Sequence, residues 1–274
     1  MSHAAYSVLM SLYAKEKPAY LAQALDSMLE QTVLPAEIVL VKDGPLTPEL
    51  ETVLQQYQTQ YPSLFNVVTN EKNVGLGLAL NRGLEACSCE LVARMDTDDI
   101  SKPARCEKQL ACFARQPQLA LVGTWVDEFT DTPAHIISRR CVPLAHEQIY
   151  EFAKRRSAFN HPTVMYRKSA VLAQGGYANL RRNQDVDLFG RMLFAGCKAE
   201  NIGEALLFFR ASADLSKRRK SWENTWSYIA TIKRFWKMGY SSLWDVGIVA
   251  AAQTGIYVMP AWLQQFVYRK LLRR

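Results

Sequence analysis

Carboxylates are concentrated at one point of the sequence, where Asp96-Thr97-Asp98-Asp99 places three acids within four residues. Acids this close repel one another unless a cation neutralises them. Their hard oxygen atoms suit Mg²⁺ or Mn²⁺, and such an ion would neutralise charge building up on a departing diphosphate. Acidic turns are equally common before helices, so Asp99 or Ser101 is an alternative candidate for the cap of a helix beginning near Pro103.

A second acid, Asp43, lies in the segment Lys42-Asp43-Gly44-Pro45, directly after an apolar run. A carboxylate at a strand end can accept a hydrogen bond from the imide N–H of a uracil ring. An Asx turn that leads into Gly44 is the alternative interpretation. The elements around Asp43 and the acidic turn, residues 96–99, decide whether the two meet at one site.

The first 130 residues alternate short β-branched runs with longer segments of helical spacing. Strands are predicted at residues 6–10, 38–41, 65–68 and 91–93, and helices at 18–31, 47–61 and 76–87. This order predicts an α/β fold with a mostly parallel, Rossmann-like sheet, right-handed crossovers and helices on both faces. Ligands of such sheets bind at the carboxyl ends of the strands, so Asp43 and the acidic turn are expected to share one crevice.

The later part of the chain has a different pattern. Strands are predicted at residues 119–129, 135–142, 163–166 and 205–209, and helices at 145–155 and 184–196. From Trp222 onward the chain is helical and aromatic. The polar, basic stretch 212–220 is the predicted boundary between the main domain and a C-terminal extension.

Composition is ordinary for a globular protein, with 49% hydrophobic and 22% charged residues in 274. The net charge is +7, and Lys and Arg concentrate late, at 154–156, 167–168, 181–182, 217–220 and 269–274. This bias predicts an anionic partner, either a phosphate-bearing ligand or an acidic membrane surface. Nucleic acid is not expected, because the sequence has no helix-turn-helix, zinc-finger or RNA-binding signature.

The six cysteines include no CxxC pair, and no His stands at zinc-ligand spacing from any of them. The N-terminus has neither the basic nor the apolar region of a signal peptide. We therefore expect reduced core thiols in a cytoplasmic protein.

Several segments, taken in order, resemble the family 2 inverting glycosyltransferases, which have the GT-A fold. The resemblance rests on Tyr6-Ser-Val-Leu-Met-Ser-Leu-Tyr13, Glu37-Ile-Val-Leu-Val-Lys-Asp-Gly44, Asn73-Val-Gly75, Ala79-Leu-Asn-Arg-Gly83 and Met95-Asp-Thr-Asp-Asp99. It continues through Asn160-His-Pro-Thr-Val-Met165, Gly175-Gly-Tyr177, Gln184-Asp-Val-Asp-Leu188 and Asn201-Ile202 to Arg210, and covers residues 5–212. The sequence of residues 41–46, Val-Lys-Asp-Gly-Pro-Leu, is most similar to the corresponding segment of bacterial enzymes that assemble capsule, exopolysaccharide or O-antigen.

The resemblance implies roles for individual acids. Asp96 and Asp98 match the DxD motif, with Asp98 the best ligand for a Mn²⁺ or Mg²⁺ cofactor. Asp43 matches the acid that reads the nucleobase, and Asp185 matches the general base. A base is needed because a sugar hydroxyl is a poor nucleophile until its proton is removed. The alternative for Asp185 is a first-turn acid favoured by the helix dipole, and Asp187 is expected to point away from it.

Further residues are expected around the nucleotide-sugar donor. They are Ser11, Tyr13, Asp43, Asn73, Gly75, Arg82, Asp96, Asp99 and His161. For His161 a purely structural role is an equal alternative. The sequence departs from the family at position 42. The family often has two consecutive acids before the glycine of this motif, and here Lys42 replaces the first of them, directly before Asp43.

Residues 246–263 contain no charge and are flanked by basic residues on both sides. Their length is near the lower limit for spanning a bilayer, but Gln253, Thr254, Gly255 and Pro260 weaken that interpretation. Two basic flanks favour an interfacial or re-entrant segment, and Trp222, Trp226, Trp236, Trp244 and Trp262 are typical of interfaces. Helices packed on the domain, or an oligomer contact, are the alternatives.

The predicted organisation is therefore a GT-A domain at residues 1–212, with a nucleotide-binding half at 1–117 and an acceptor half at 118–212. A basic, amphipathic helical tail at 213–274 is expected to hold the protein peripherally on the inner face of the cytoplasmic membrane.

The predicted reaction transfers a sugar from a nucleotide-sugar, expected to be a UDP-sugar, to a lipid-diphosphate-linked saccharide. A sugar nucleotidyltransferase is an alternative, although such enzymes carry a Gly-rich loop where this chain has Ser11-Leu12-Tyr13-Ala14. A dinucleotide dehydrogenase is excluded because no G-x-G-x-x-G follows the first strand. The third hypothesis is an inert binding subunit of a polysaccharide assembly complex.

Overall fold

The computed structural model describes residues 4–211 and 221–259. Its first half contains β1 (Tyr6–Leu12), α1 (Pro18–Leu29), β2 (Glu37–Asp43), α2 (Pro48–Gln60), β3 (Phe65–Asn70), α3 (Leu76–Ala86) and β4 (Leu91–Arg94). The predicted order is confirmed, and β1 and β2 extend further than predicted because Ser11 and Lys42 continue the pairing. Thr47 caps α2, and its side chain accepts a hydrogen bond from the Leu50 N–H.

The second half begins after the acidic turn. It contains β5 (Ile100–Ser101), α4 (Arg105–Arg115), β6 (Leu119–Phe129), β7 (Ile136–Arg140), α5 (His146–Ala153), a 3₁₀ turn (His161–Thr163), β8 (Met165–Arg167), α6 (Lys168–Ala173), α7 (Gln184–Phe194) and β9 (Lys198–Arg210). Two helices follow, α8 (Trp222–Lys237) and α9 (Leu243–Val258).

The strands form one twisted sheet in the order β3-β2-β1-β4-β8-β6-β9-β5, with β7 paired to β6. The first four strands of that order are parallel, as predicted. Strand β8 is antiparallel to both of its neighbours, β4 and β6, so the second half of the sheet is mixed. The parallel half brings the carboxyl ends of β1, β2, β3 and β4 to one edge.

Apolar layers cover both faces of the parallel half. On β1, Leu9 packs into the layer that contains α3 and α7, whereas Val8 and Met10 pack into the layer that contains α1 and α4. Successive strand residues point to opposite faces, so burial on both sides requires a continuous apolar run. The strand ends, where this requirement stops, are the positions available for polar residues.

Helix α8 packs on the main domain. The Phe235 ring lies against Gly190 of α7, leaving no room there for a Cβ. Arg234 of α8 forms an ion pair with the buried Asp187 of α7 at 2.8 Å. Although the predicted boundary at 212–220 lies outside the described residues, these contacts join α8 to the domain core.

Candidate active site

The acidic turn follows β4 directly, and the structure brings its three acids together. Asp96, Asp98 and Asp99 each offer a carboxylate oxygen, and these atoms lie within 4.8 Å of one another. Asp96 also forms an ion pair with Arg94, which is fully buried at the end of β4. The predicted clustering at the strand end is therefore what the fold produces.

Burial and mutual repulsion disfavour the ionised forms of Asp98 and Asp99. Burial, followed by the charges of Asp96 and Glu16, raises the pKa of Asp98 to about 7. Burial and the charges of Asp98 and Asp96 also raise the pKa of Asp99 well above its usual value. One Asp99 oxygen has no hydrogen-bond partner among the described residues. Carboxylate oxygens with an unsatisfied lone pair fit a hard divalent cation such as Mg²⁺ or Mn²⁺.

The alternative role of Asp99 or Ser101 as a helix cap is wrong. Helix α4 begins at Arg105, two residues beyond Pro103, and no side chain in the described part of the chain caps it. The Ser101 hydroxyl instead accepts a hydrogen bond from Nε of Arg105 at 2.7 Å. Asp99 accepts one from the backbone N–H of Arg210 at 2.8 Å, so it faces β9.

Arg210, at the end of β9, is hydrogen-bonded to the acidic turn. The sequence patterns do not predict this role. Its Nε donates to the backbone carbonyl of Asp98 at 2.8 Å. Its guanidinium lies 3.8 Å from the centre of the Tyr20 ring and donates to Gln23 at 2.7 Å. Strand β9 and helix α1 thus hold the turn in place from two sides.

Asp43 organises the loop between β3 and α3. One carboxylate oxygen accepts hydrogen bonds from the Asn70 side chain at 3.0 Å and the Val74 N–H at 2.9 Å. The other accepts one from the Gly75 N–H at 3.1 Å. Since a carboxylate has about four acceptor positions, the described residues leave one of them for a further donor. The loop-ordering role is thus visible, and base reading by Asp43 stays a prediction.

The other expected donor-binding residues lie around the same edge. Asn73 donates to the backbone carbonyl of Asp43 at 3.2 Å, and Gly75, with φ of 90°, is the N-cap of α3. The Ser11 carbonyl, at the end of β1, accepts from Thr97 of the acidic turn at 3.5 Å. Two more residues are expected to bind the donor. Tyr13 follows the end of β1, and Arg82 donates a hydrogen bond to the Asn70 side chain at 2.9 Å.

Gly44 is required where the β2 end meets this loop. Its φ is 91°, and a Cβ there would lie 2.8 Å from the Asn73 backbone nitrogen. We therefore expect Gly44→Ala to lower the free energy of unfolding by about 1–3 kcal/mol. Gly247→Ala is the matched control on α9. No described residue lies within 4 Å of its new Cβ, so stability should stay equal or rise. Urea titration of both variants measures this, and equal stability of Gly44→Ala and the wild type would contradict it.

Asp185 lies in the first turn of α7, at the same crevice. Burial raises the pKa of the Asp185 carboxyl, and the charge of Asp96 raises it further, so the two acids are electrostatically close. The neighbouring residue Gln184 packs closely against α3. A Cβ added to Gly77 of α3 would lie 3.4 Å from the Cβ of Gln184. That close approach sets the N-termini of α3 and α7 side by side.

Asp187 has a structural role between α7 and α8. Its buried carboxylate forms ion pairs with Arg191 at 2.9 Å and with Arg234 at 2.8 Å. Both partners belong to the packing between α7 and α8, away from the acidic turn.

His161 begins the 3₁₀ turn that precedes β8. Its Nε2 is 3.0 Å from the Tyr177 hydroxyl, and its ring packs against Phe189. Burial, then the charge of Arg94, lowers the pKa of His161 well below its usual value. Asn81 fixes the backbone of Tyr177 with two hydrogen bonds, of 2.7 and 2.8 Å. These contacts agree with the structural alternative, and a donor-sugar contact of His161 stays a prediction.

The six cysteines all fall within the described residues and are free thiols. Lys42, the position that departs from the family pattern, forms an ion pair with Glu51 of α2. Among the described helices, none combines the length and apolarity needed to cross a bilayer.

Comparisons with known proteins agree with this architecture. The family described as Glycosyl transferase family 2 matches residues 7–175. The chain is 36% identical over 270 residues to the amylovoran biosynthesis glycosyltransferase AmsE of Erwinia amylovora, covering 97% of this chain and 98% of that protein. It is 34% identical over 269 residues to the UDP-Gal:alpha-D-GlcNAc-diphosphoundecaprenol beta-1,3-galactosyltransferase of Escherichia coli, covering 98% and 97% respectively.

Among solved structures, the mannosyltransferase PcManGT from Pyrobaculum calidifontis, in complex with GDP-Man and Mn²⁺, has a TM-score of 0.63 at 15% identity. The superposition covers 97% of this chain and 79% of that one, and confirms the expected GT-A fold. The family match, and two relatives aligned along nearly their whole length, show that the chain belongs to glycosyl transferase family 2.

Proposed function

We propose that this glycosyltransferase moves a sugar, with inversion, from a UDP-sugar to a saccharide carried on a lipid diphosphate during synthesis of a bacterial surface polysaccharide. The observation that carries the proposal is the acidic turn, whose three acids lie at the sheet edge together with Asp43 and Asp185. The names of the two relatives support the substrate class, since one makes amylovoran and the other uses UDP-Gal and a diphosphoundecaprenol-linked sugar.

The donor would lie across the carboxyl ends of β1, β2 and β4. Asp43 has an acceptor position left for the nucleobase, and Asn73 and Gly75 border it. Asp98 and Asp96 would hold Mn²⁺ or Mg²⁺, with the unsatisfied oxygen of Asp99 beside them. The ion, when bound, supplies positive charge that stabilises the negative charge of the departing diphosphate.

The acceptor hydroxyl would be activated by Asp185. Its carboxylate takes the hydroxyl proton as the oxygen attacks the anomeric carbon, and the nucleoside diphosphate leaves from the opposite face. A partly buried carboxylate suits this task, because a raised pKa makes it a better base. Attack from the face opposite the leaving group inverts the anomeric configuration.

The test is sugar transfer from UDP-galactose, UDP-glucose and their N-acetylated forms to N-acetylglucosamine diphosphate linked to a short alkyl chain. We expect Mn²⁺-dependent product with one donor, and an anomeric configuration in its NMR spectrum opposite to that of the donor. Retention of configuration, or hydrolysis of every donor without transfer, would contradict the proposal.

Helix α9 supports the contact with the inner leaflet of the cytoplasmic membrane that the sequence predicts. Three of its apolar side chains are largely exposed, namely Leu243 at 64%, Trp244 at 75% and Val258 at 71%. An exposed apolar helix is typical of an interfacial segment. The rest of the predicted tail, residues 260–274 with Trp262 and four basic residues, lies outside the described part of the chain.

Replacing two of these side chains should weaken membrane binding. We expect the double variant Trp244→Ser and Val258→Ser to bind anionic phospholipid vesicles at least about tenfold less tightly, because each buried apolar side chain contributes about 1.5–3 kcal/mol. Leu34→Ser is the matched control, since Leu34 is 64% exposed in the connection between α1 and β2. Vesicle flotation measures binding, and a double variant that floats like the control would refute the contact.

A further inference from the structure

We infer that a cleft between the start of α8 and the loop before α7 binds the diphosphate and first sugar of the acceptor. The cleft, called here the Arg/Trp cleft, has a volume of about 400 Å³. It is lined by Arg181, Arg182, Trp222, Glu223, Trp226 and Ser227. This inference rests on the proposed function and names the site at which its acceptor would be held.

The aromatic wall of the cleft consists of Trp222 and Trp226, one turn apart on α8. Their rings stack at 6.4 Å between centroids with an interplanar angle of 25°. Both remain more than half exposed, at 52% and 60%. Tryptophan combines a large apolar face with one polar N–H, so a stacked, exposed pair offers a rigid surface to the apolar face of a sugar ring.

The opposite wall consists of Arg181 and Arg182. Arg181 reaches Glu223 only at 3.3 Å, and both side chains of that pair are exposed, so the pair is weak and Arg181 can exchange partners. The Arg182 Nε is buried and lacks a hydrogen-bond partner within residues 4–211 and 221–259. A buried, unsatisfied guanidinium N–H is costly, and phosphate oxygens are the acceptors that match a guanidinium in geometry and charge.

The loop that carries the arginines is fixed to α8 and leads directly to the proposed base. Ser227 donates to the Arg182 carbonyl at 3.1 Å and accepts from the Asn183 side chain at 3.1 Å. Asn183 turns the chain into α7 with φ of 58°, and Asp185 follows. Arg182 and Asp185 are thus separated by at most about 11 Å of chain. A sugar attached to a diphosphate on the arginines can therefore present a hydroxyl to Asp185.

The cleft also adjoins the apolar surface of α9. The Trp222 ring lies 5.3 Å from the Tyr257 ring, beside the exposed end of that helix. A ligand with a sugar, a diphosphate and a lipid chain, in that order, would run from Asp185 past the arginines to α9. The order of chemical surfaces on the protein matches the order of groups in a lipid-linked saccharide.

The test compares binding of two ligands without turnover. One is N-acetylglucosamine diphosphate with a short alkyl chain, and the other is the alkyl glycoside of the same sugar without the diphosphate. We expect Arg182→Ala to weaken the first by about tenfold or more and the second by less than twofold, as measured by calorimetry with UDP and Mn²⁺ present. Trp226→Ala should weaken both. Arg115→Ala is the matched control, because Arg115 is an exposed arginine paired with Glu200 elsewhere on the surface.

The outcomes separate this inference from the proposed function. Unchanged binding of the diphosphate ligand to Arg182→Ala, while the wild type still transfers sugar, would refute the cleft and leave the function intact. If wild type neither binds this ligand nor transfers sugar to it, the proposed acceptor class fails and the cleft fails with it. If Arg182→Ala weakens anionic vesicle binding and not the diphosphate ligand, the arginine contacts phospholipid head groups, which also overturns the inference. UDP binding should be equal in all variants.

Discussion

Asp98→Asn is expected to reduce Mn²⁺-dependent sugar transfer by about 10²- to 10³-fold, because an ion at a leaving diphosphate contributes several kcal/mol of charge stabilisation. The amide keeps the size of the side chain and removes its charge. Since Asp98 lies within 4.8 Å of two other acids, its neutralisation should leave the fold unharmed or stabilise it when no metal is present. Transfer kinetics, Mn²⁺ calorimetry and the metal-free thermal midpoint together measure the effect.

The control is Asp131→Asn, which neutralises an exposed acid in the turn after β6. It should keep wild-type transfer and Mn²⁺ affinity. Full Mn²⁺-dependent activity in Asp98→Asn would show that the acidic turn does not hold the ion. Lost activity with a lowered metal-free midpoint would instead indicate a folding defect.

Asp185→Asn is expected to lower kcat by about 10²- to 10⁴-fold while leaving UDP and Mn²⁺ binding unchanged, because a general base acts on the acceptor. The base must be deprotonated, so kcat/KM of the wild type should fall as pH decreases through the Asp185 pKa. Burial raises that pKa, and the acid limb should therefore lie above the ordinary aspartate value of about 3.9. A pH series of kcat/KM together with nucleotide calorimetry tests both parts.

Asp187→Asn provides the contrast two residues further along α7. It removes the ion pairs to Arg191 and Arg234 that tie α7 to α8, so it should lower stability by about 1–3 kcal/mol. Its residual activity should track the folded fraction. If Asp185→Asn retained wild-type kcat, Asp185 would be only the first-turn acid that its helix position also explains.

The parallel half of the fold and the acidic turn could be predicted from local patterns. Apolar runs with helical segments between them predict β1 to β4, and a polar residue at each strand end predicts the crevice. Local patterns do not predict the contacts of Asp43, because the three hydrogen bonds that its carboxylate accepts from described residues come from positions 27 or more away. The sequence therefore leaves open how much of this carboxylate remains for a ligand.

Residues that hold the site in place from distant parts of the sequence are harder to predict. Arg210 stands 111 residues from the Asp99 carboxylate that it binds. A single arginine at the end of an apolar strand does not reveal its partner. The antiparallel insertion of β8 between β4 and β6 is equally hidden, since a three-residue strand carries no periodic pattern.

The most direct test of metal-dependent nucleotide-sugar binding is the thermal midpoint with UDP, GDP and dTDP, each with and without Mn²⁺. A nucleotide at about 100 times its Kd should stabilise the folded state by about 2.7 kcal/mol, which for a domain of this size is a rise of about 5–10 °C. We expect that rise with UDP and Mn²⁺ together, and its loss in Asp98→Asn. No rise with any nucleotide would contradict donor binding at this edge of the sheet and favour an inert subunit.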